Sequence, residues 1–201
     1  DDGVDTLSIF GFDQTNPDFI GYQIGSTTQK NPNDALFLLR AMTAISGEAT
    51  DSPAFLALLH GSVDLYRDTV QNNEPSTEVQ RINYDAALNG RLSVFGQGGN
   101  DMFFVDDNSA TTTLDGGAGF DTFQIGQIFG TNRDVAEGAL LPNDVFPELI
   151  ATTRGWLSPG THAPLVATGG TGNDEFIVYS NQAELRLEGD DDNDLFVVRA
   201  F

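Results

Sequence analysis

The sequence predicts an all-β fold, a right-handed parallel β-solenoid in which short strands alternate with glycine-rich loops. Three observations support this prediction: a glycine–aspartate motif recurs, its copies are regularly spaced, and an apolar residue stands two places after each motif aspartate. Asp101 and Asp121 are 20 residues apart, as are Asp174 and Asp194. A unit of two short strands and two loops needs about that length, so each repeat would form one turn of the solenoid.

The motif occurs four times. Two copies are complete, Gly-Gly-Ala-Gly-Phe-Asp-Thr-Phe at 116–123 and Gly-Gly-Thr-Gly-Asn-Asp-Glu-Phe at 169–176. Two more, at 96–103 and 189–196, have other residues at some glycine positions. The glycines allow a tight loop with backbone at positive φ, and the aspartate offers a hard oxygen ligand.

Phenylalanine occupies the same place in every copy, two residues after the aspartate. After Asp121, the sequence Thr-Phe-Gln-Ile alternates polar and apolar residues as a half-buried strand does. Stacked turns would bring these rings together as an interior ladder. The rings concerned are Phe103, Phe123, Phe176 and Phe196.

Stacked loops would place successive aspartates one strand spacing apart, roughly 4.8 Å. Carboxylates at that distance repel unless a cation lies between them, and calcium accepts carboxylate and carbonyl oxygens. We therefore expect Asp101 and Asp121 to share one Ca²⁺, and Asp174 and Asp194 to share another. The carbonyls expected to complete the shells are those of Gly96, Gly98, Gly116, Ala118, Gly169, Thr171 and Gly189.

Three further aspartates are candidate ligands. Asp190 and Asp192 replace glycines in the last copy. The N-terminal run Asp-Asp-Gly-Val-Asp-Thr-Leu resembles the motif with its first glycine missing, which makes Asp5 its aspartate and predicts that the solenoid continues before residue 1. The turns at 106–108 and 179–181 are expected to be plain turns on the other side of the solenoid.

At these motifs the chain resembles the RTX (hemolysin-type) family of calcium-binding repeat proteins, over roughly 120 residues from Ile82 to Phe201. The resemblance implies a parallel β-roll with calcium between its turns, and type I secretion through an uncleaved C-terminal signal. In the family, two nine-residue repeats make each turn. Here only alternate loops carry the motif, so we expect one row of ions instead of two.

The remaining segments are interpreted around this solenoid. Residues 34–42 are predicted as a strand rather than an apolar helix, and 53–60 are left open between the two. Proline-rich and asparagine-rich stretches at 11–33, 71–78 and 130–164 are loops that either cover the solenoid or bind a partner, and Trp156 is expected to anchor the last of them. The organisation predicted is one continuous solenoid domain: a degenerate region with loop insertions at 1–81, calcium-binding turns at 82–129, an insertion at 130–164, and calcium-binding turns at 165–201.

Composition narrows the possible partners. There are 30 acidic and 9 basic residues, a net charge of −21, which disfavours nucleic acid and anionic membrane. Aspartate outnumbers glutamate by 22 to 8, as suits ligand-bearing loops; a solvated acidic surface is the alternative. Cysteine is absent, which excludes disulfides, and no stretch is apolar enough for membrane insertion.

No catalytic motif accompanies the repeats. The two histidines, His60 and His162, belong to no metalloprotease pattern, and no Gly-x-Ser-x-Gly elbow is present. We therefore expect no enzyme activity. The function predicted is a calcium-binding structural segment of a large secreted or cell-surface protein, of the adhesin, surface-layer or filament type, which folds on calcium after export. Its partners would be neighbouring repeats, or copies of the chain arranged head to tail.

The alternative is a calcium-dependent export and stability module of a secreted enzyme or toxin, such as a polysaccharide-active hydrolase or lyase.

Overall fold

The computed structural model describes residues 4–11, 34–41, 53–60, 79–85, 88–133 and 146–199, and all regular structure within them is β-strand. The all-β prediction is thus confirmed. The strands are β1 (Leu7–Phe10), β2 (Ala35–Ala41), β3 (Pro53–His60), β4 (Val79–Asp85), β5 (Arg91–Phe95), β6 (Met102–Val105), β7 (Thr111–Ala118), β8 (Thr122–Ile125), β9 (Ile128–Phe129), β10 (Ile150–Thr152), β11 (Gly155–Leu157), β12 (Leu165–Thr171), β13 (Glu175–Val178), β14 (Leu185–Asp191) and β15 (Leu195–Val198).

Two large sheets contain most of these strands. The first sheet has the order β1-β5-β7-β12-β14 and only parallel pairs. The second sheet has the order β15-β13-β8-β6-β2-β3-β4. Its pairs are parallel from β15 to β2, whereas β3 pairs antiparallel with both β2 and β4. The second sheet is therefore mixed.

The chain alternates between the two sheets. We call a strand of the first sheet, the loop after it and the following strand of the second sheet a row: β5–β6, β7–β8, β12–β13 and β14–β15 are the first to fourth rows. Each row pairs in register with the next, as Phe123 with Phe176 and Thr112 with Leu165 show. The segment between β8 and β12 loops out without separating the second and third rows.

The core between the sheets contains the predicted ladder of phenylalanine rings. Rings in successive rows lie 4.7 Å apart and within 6° of parallel, the spacing of hydrogen-bonded strands. Phe37 of β2 extends the ladder at 4.9 Å from Phe103, which confirms the strand predicted at 34–42. Val94, Leu114 and Ala167 of the first sheet are buried beside these rings.

The structure decides one segment and corrects another. Residues 53–60 form strand β3, which settles the choice between helix and strand. The 130–164 insertion, predicted as a loop, instead contains strands β10 and β11, which pair antiparallel with each other and with β9 in a third sheet of order β10-β11-β9. Trp156 pairs there with Ala151 on one side and with Phe129 on the other. The predicted loop at 71–78 lies outside the described residues, as does the one at 11–33 apart from Gly11. No helix in the described ranges is long and apolar enough to cross a membrane.

Candidate metal centre

The four motif loops lie in one stack at the carboxyl ends of the first-sheet strands. Gly98 bridges Ala118 in parallel, and Gly170 pairs with both Gly117 and Asp190. The loops keep their backbone geometry where glycine is replaced. The residues at those positions, Gln97, Asp190 and Asp192, have φ of 76°, 68° and 76°.

The motif aspartates form a ladder through their Oδ1 atoms. The amide of Asp101 donates to Oδ1 of Asp121 at 2.7 Å, that of Asp121 to Asp174 at 2.8 Å, and that of Asp174 to Asp194 at 3.0 Å. Ala35 starts the ladder by donating to Oδ1 of Asp101 at 2.7 Å. The structure thus brings together the residues of both predicted pairs, and it also makes Asp121 and Asp174 neighbours because the insertion loops out.

The second oxygen of each inner aspartate is buried and has no hydrogen-bond partner in the described structure. This holds for Oδ2 of Asp101, Asp121 and Asp174. The Oδ2 of each inner aspartate and the carbonyl oxygen of the first glycine in the next row both lie beside the first glycine of the aspartate's own loop. A Cβ on that first glycine would overlap Oδ2 and crowd the carbonyl, so only glycine leaves the space open. The groups are Asp101 with Gly96 and Gly116, Asp121 with Gly116 and Gly169, and Asp174 with Gly169 and Gly189.

These carboxyls resist ionisation in the absence of a cation. Burial raises the pKa of Asp101 to about 8, and the charges of Asp121 and Asp34 add to the rise, against the hydrogen bond from the Ala35 amide. Burial likewise raises the pKa of Asp121 to about 7, with a contribution from the charge of Asp174. A cation beside the free oxygens would reverse this effect by favouring the ionised form.

The pKa of Asp174 is raised by burial and then by the charges of Asp194, Asp190 and Asp192. The last two side chains are exposed on the fourth row, so they contribute charge near the site. The fourth motif carboxylate, Asp194, lies against Gly189 of its own loop.

Two other predicted carbonyl ligands already accept hydrogen bonds from the neighbouring loop of the stack. The carbonyl of Ala118 accepts from the Gly99 amide, and that of Thr171 accepts from the Gly119 amide, both at 2.9 Å. Gly98 lies beside the Ala118 carbonyl. The carbonyls that face the free carboxylate oxygens are instead those of the first motif position, in the second, third and fourth rows.

Asp5 lies away from this stack. Its amide donates to Asn89 Oδ1 at 2.9 Å, and its carbonyl lies against Gly90, just before β1 and β5 begin. The motif loops follow the carboxyl ends of the first-sheet strands, so Asp5 lies at the opposite ends of these strands. The N-terminal run leads into the first sheet, whereas the residues after a motif aspartate enter the second.

The turn after β6 contains two buried aspartates whose pairing the sequence did not predict. Asp106 Oδ2 accepts from Arg40 Nε at 2.6 Å, and Asp107 lies 2.8 Å from His162 Nδ1. The partners are 66 and 55 residues away, so no local pattern marks these contacts. The buried Asn108 side chain accepts the amides of His162 and Ala163, which fixes the end of the insertion to this turn. Asp107 and the Oδ2 atom of Asp106 therefore hold protein groups, whereas Oδ1 of Asp106 is buried without a hydrogen-bond partner.

Within the described ranges, no group of three or more His, Cys, Asp or Glu side chains could hold a metal ion. A cation in the stack would therefore combine one carboxylate per row with backbone carbonyls, a donor set that suits hard cations such as calcium. Comparison of the chain with protein-family models, curated proteins and solved structures finds no match.

Proposed function

We propose that the chain is a calcium-binding structural segment of a large secreted or cell-surface protein, built as a right-handed parallel β-roll like that of the RTX family. The in-register rows and the ring ladder support the β-roll. The antiparallel strands β3 and β4 are an addition to such a roll at one end.

The observation that carries this proposal is a set of three buried carboxylate oxygens in the stack that have no hydrogen-bond partner, each beside the same loop glycine as a carbonyl oxygen of the next row. Two oxygens that converge without a hydrogen between them repel each other, and a buried carboxylate without a partner is costly. Calcium binds six to eight oxygens in flexible geometry, whereas magnesium demands near-ideal octahedra and dehydrates reluctantly. The residues that would hold it are Asp101 with Gly116, Asp121 with Gly169, and Asp174 with Gly189.

Calcium binding would be coupled to folding. When bound, the ion supplies the positive charge that the row of carboxylates lacks. Without it, the net charge of −21 and the buried aspartates oppose compaction. Extracellular calcium modules have dissociation constants of about 0.1–1 mM, which cytosolic calcium does not reach. The segment would thus stay extended until export and fold outside the cell.

The proposed role is non-catalytic and extracellular. Among the described residues, the buried acids either belong to the aspartate ladder or pair with Arg40 and His162, which supports structural functions for them. The acidic surface disfavours nucleic acid as a partner. The partners proposed are calcium and neighbouring repeats.

Calcium titration tests this function directly. We expect calorimetry to detect binding at the three inter-row positions of the described stack, and circular dichroism to report a more stable β-sheet fold with calcium than with chelator. At free calcium 100-fold above the dissociation constant, each bound ion adds about 2.7 kcal/mol. Magnesium at the same concentration is the control and should add much less. A β-rich fold whose melting is the same in calcium and in chelator would overturn the proposal.

A further inference from the structure

The residue before each motif aspartate takes part in a second ladder, which we call the outer ladder. The Phe120 amide donates to Oδ1 of Asn100 at 2.8 Å, and the Asn193 amide donates to Oδ1 of Asn173 at 3.1 Å. The Asn100 amide itself donates to Oδ1 of Asp34 at 2.7 Å. A short side chain with an acceptor oxygen at this position therefore ties one loop to the next.

Phe120 interrupts the outer ladder between the second and third rows. A phenyl ring has no acceptor oxygen, so position 120 offers none to the amide of Asn173. The ring is also 50% exposed, although it belongs to an inner row. Compared with asparagine, phenylalanine here loses a hydrogen bond and leaves apolar area in water, and both effects oppose stability. The departure from the repeat therefore points to a ligand.

The loops beside the ring have no side chains that could cover it. Gly119 precedes Phe120, and Gly172 has the same place in the third row. A Cβ on Gly119 would overlap the carbonyl of Gly99, and a Cβ on Gly172 would overlap that of Gly119. Close packing thus restricts both positions to glycine, and the ring stands beside bare backbone.

An asparagine lies one row to each side of the ring, roughly 4.8 Å away along the stack. Oδ1 of Asn100 and of Asn173 each accepts a backbone amide, so the oxygen of each side chain is engaged in the outer ladder. Because each partner is an N–H group, these contacts also fix the orientation of the side-chain amides. Both residues are exposed, so their NH₂ groups are donors at the surface.

We propose that Phe120, Asn100 and Asn173 form a binding site for a neutral carbohydrate. One pyranose ring stacks on Phe120, and its hydroxyl groups accept hydrogen bonds from the two asparagine side chains. A pyranose has an apolar C–H face and a rim of hydroxyls, which suits an aromatic ring between two amide donors. The site goes beyond the proposed function, because the calcium row uses the aspartate one residue later instead.

Charge and size select this class of ligand. Asp34 continues the outer ladder beyond Asn100, and Asp191 and Asp192 are exposed on the fourth row. An anionic sugar would therefore be repelled from both sides, in a chain whose net charge is −21. A single ring beside glycine backbone also offers far less contact area than a stable protein interface, which buries about 800 Å² per partner.

Affinity electrophoresis tests the site. The complete chain is run in native gels that contain calcium and one polysaccharide: dextran, mannan or galactan as neutral probes, and hyaluronan as the anionic one. We expect at least one neutral polysaccharide to retard the chain and hyaluronan to leave its mobility unchanged. Retardation by hyaluronan alone, or by none of the neutral probes, would overturn the proposal.

Matched variants assign the retardation to the ring. Phe120→Asn removes the ring and restores the acceptor of the outer ladder, so it should abolish retardation while raising the melting temperature. Loss of binding then cannot come from unfolding. Phe10→Asn removes another phenylalanine, which is 57% exposed in β1, and should leave retardation unchanged. Retardation that survives in Phe120→Asn, or that both variants lose, would overturn the site.

Aspartate at the flanking positions separates the donor from the acceptor. Asn100→Asp and Asn173→Asp keep the ladder oxygen and remove the NH₂ donor, so each should weaken binding about 2–10-fold, the worth of one hydrogen bond. Unchanged binding in both would overturn the amide contacts. Dimers of the chain without polysaccharide, lost in Phe120→Asn, would assign the ring to a second copy and overturn the sugar site. Retardation that is identical in calcium and chelator would uphold the site and count against the calcium function alone.

Discussion

Each inner motif aspartate uses its two oxygens differently. At Asp121, Oδ1 accepts the amide of Asp101, and Oδ2 is buried beside the carbonyl of Gly169 without a hydrogen-bond donor. The first contact holds the rows together whatever the charge of the carboxyl. The second is favourable only with a cation or a proton between the two oxygens. Substitutions that separate these two contacts therefore separate stacking from ion binding.

Asparagine at position 121 keeps the Oδ1 acceptor and replaces Oδ2 with an NH₂ group that can donate to the Gly169 carbonyl. We expect Asp121→Asn to stabilise the chelated protein at pH 8 by about 1 kcal/mol, the net worth of one buried hydrogen bond. The same variant should bind fewer calcium ions. Urea unfolding in chelator and calorimetric titration check the two effects. A less stable chelated protein with unchanged calcium stoichiometry would contradict this account.

Alanine at the same position removes both contacts. Asp121→Ala should destabilise the protein in chelator as well as in calcium, by about 1–3 kcal/mol, because the Asp101 amide loses its acceptor. The matched control is Asp107→Ala, which also removes a buried carboxylate, here one bound to His162. It should cost comparable stability and leave the stabilisation gained from calcium unchanged. Loss of that gain in Asp107→Ala would place an ion at the other turn.

A phenylalanine of the ring ladder contributes more to stability when rows pack on both sides of it. Phe123 is fully buried between the rings of Phe103 and Phe176, whereas Phe196 has a described ring on one side and is 48% exposed. We expect Phe123→Ala to cost about 3–5 kcal/mol, as buried phenylalanines do. Phe196→Ala should cost about 1–2 kcal/mol, because less apolar area leaves water there. Urea midpoints at constant m-value measure both, and equal costs would contradict the difference in burial between the two rings.

The sequence predicted the elements whose pattern repeats. The 20-residue step placed Asp101 beside Asp121, and the common phenylalanine position placed the ring ladder in the core. Both follow because parallel strands in register repeat their environment from row to row. The same repetition indicated β2, since its apolar run echoes the last motif copy.

Elements whose sequence pattern does not repeat could not be predicted. The apolar run of β3 suits a helix as well as a buried strand, and only its antiparallel pairing with β2 and β4 settles the choice. Which carbonyls face the aspartates was predicted only in part. The sequence cannot distinguish the first motif position, which faces Oδ2, from the third, which bonds between rows, because both belong to the same loop.

The electrostatics of the complete stack predict different responses to pH with and without calcium. The pKa values of Asp101 and Asp121 are raised in the folded chain to about 8 and about 7, against 3.8 for an unperturbed aspartate. Between pH 4 and 8 the folded state therefore binds more protons than the unfolded state. Stability in chelator is fully present below pH 4 and falls as pH rises, by up to about 1.4 kcal/mol per pH unit for each retained proton.

With calcium bound, the same carboxyls are ionised in the folded state, so protons compete with the ion. Because the same carboxyls are also ionised in the unfolded state above about pH 5, stability in calcium should stay nearly constant up to pH 8, and the difference between the calcium and chelator curves should widen toward pH 8. Thermal unfolding from pH 5 to 8 in both conditions measures this. The double variant Asp101→Asn, Asp121→Asn is the control, because it removes two of the titrating groups and should make the chelator curve less steep. A chelated wild-type chain that gains stability between pH 5 and 8 would contradict the assignment, since its buried aspartates would then ionise favourably without a cation.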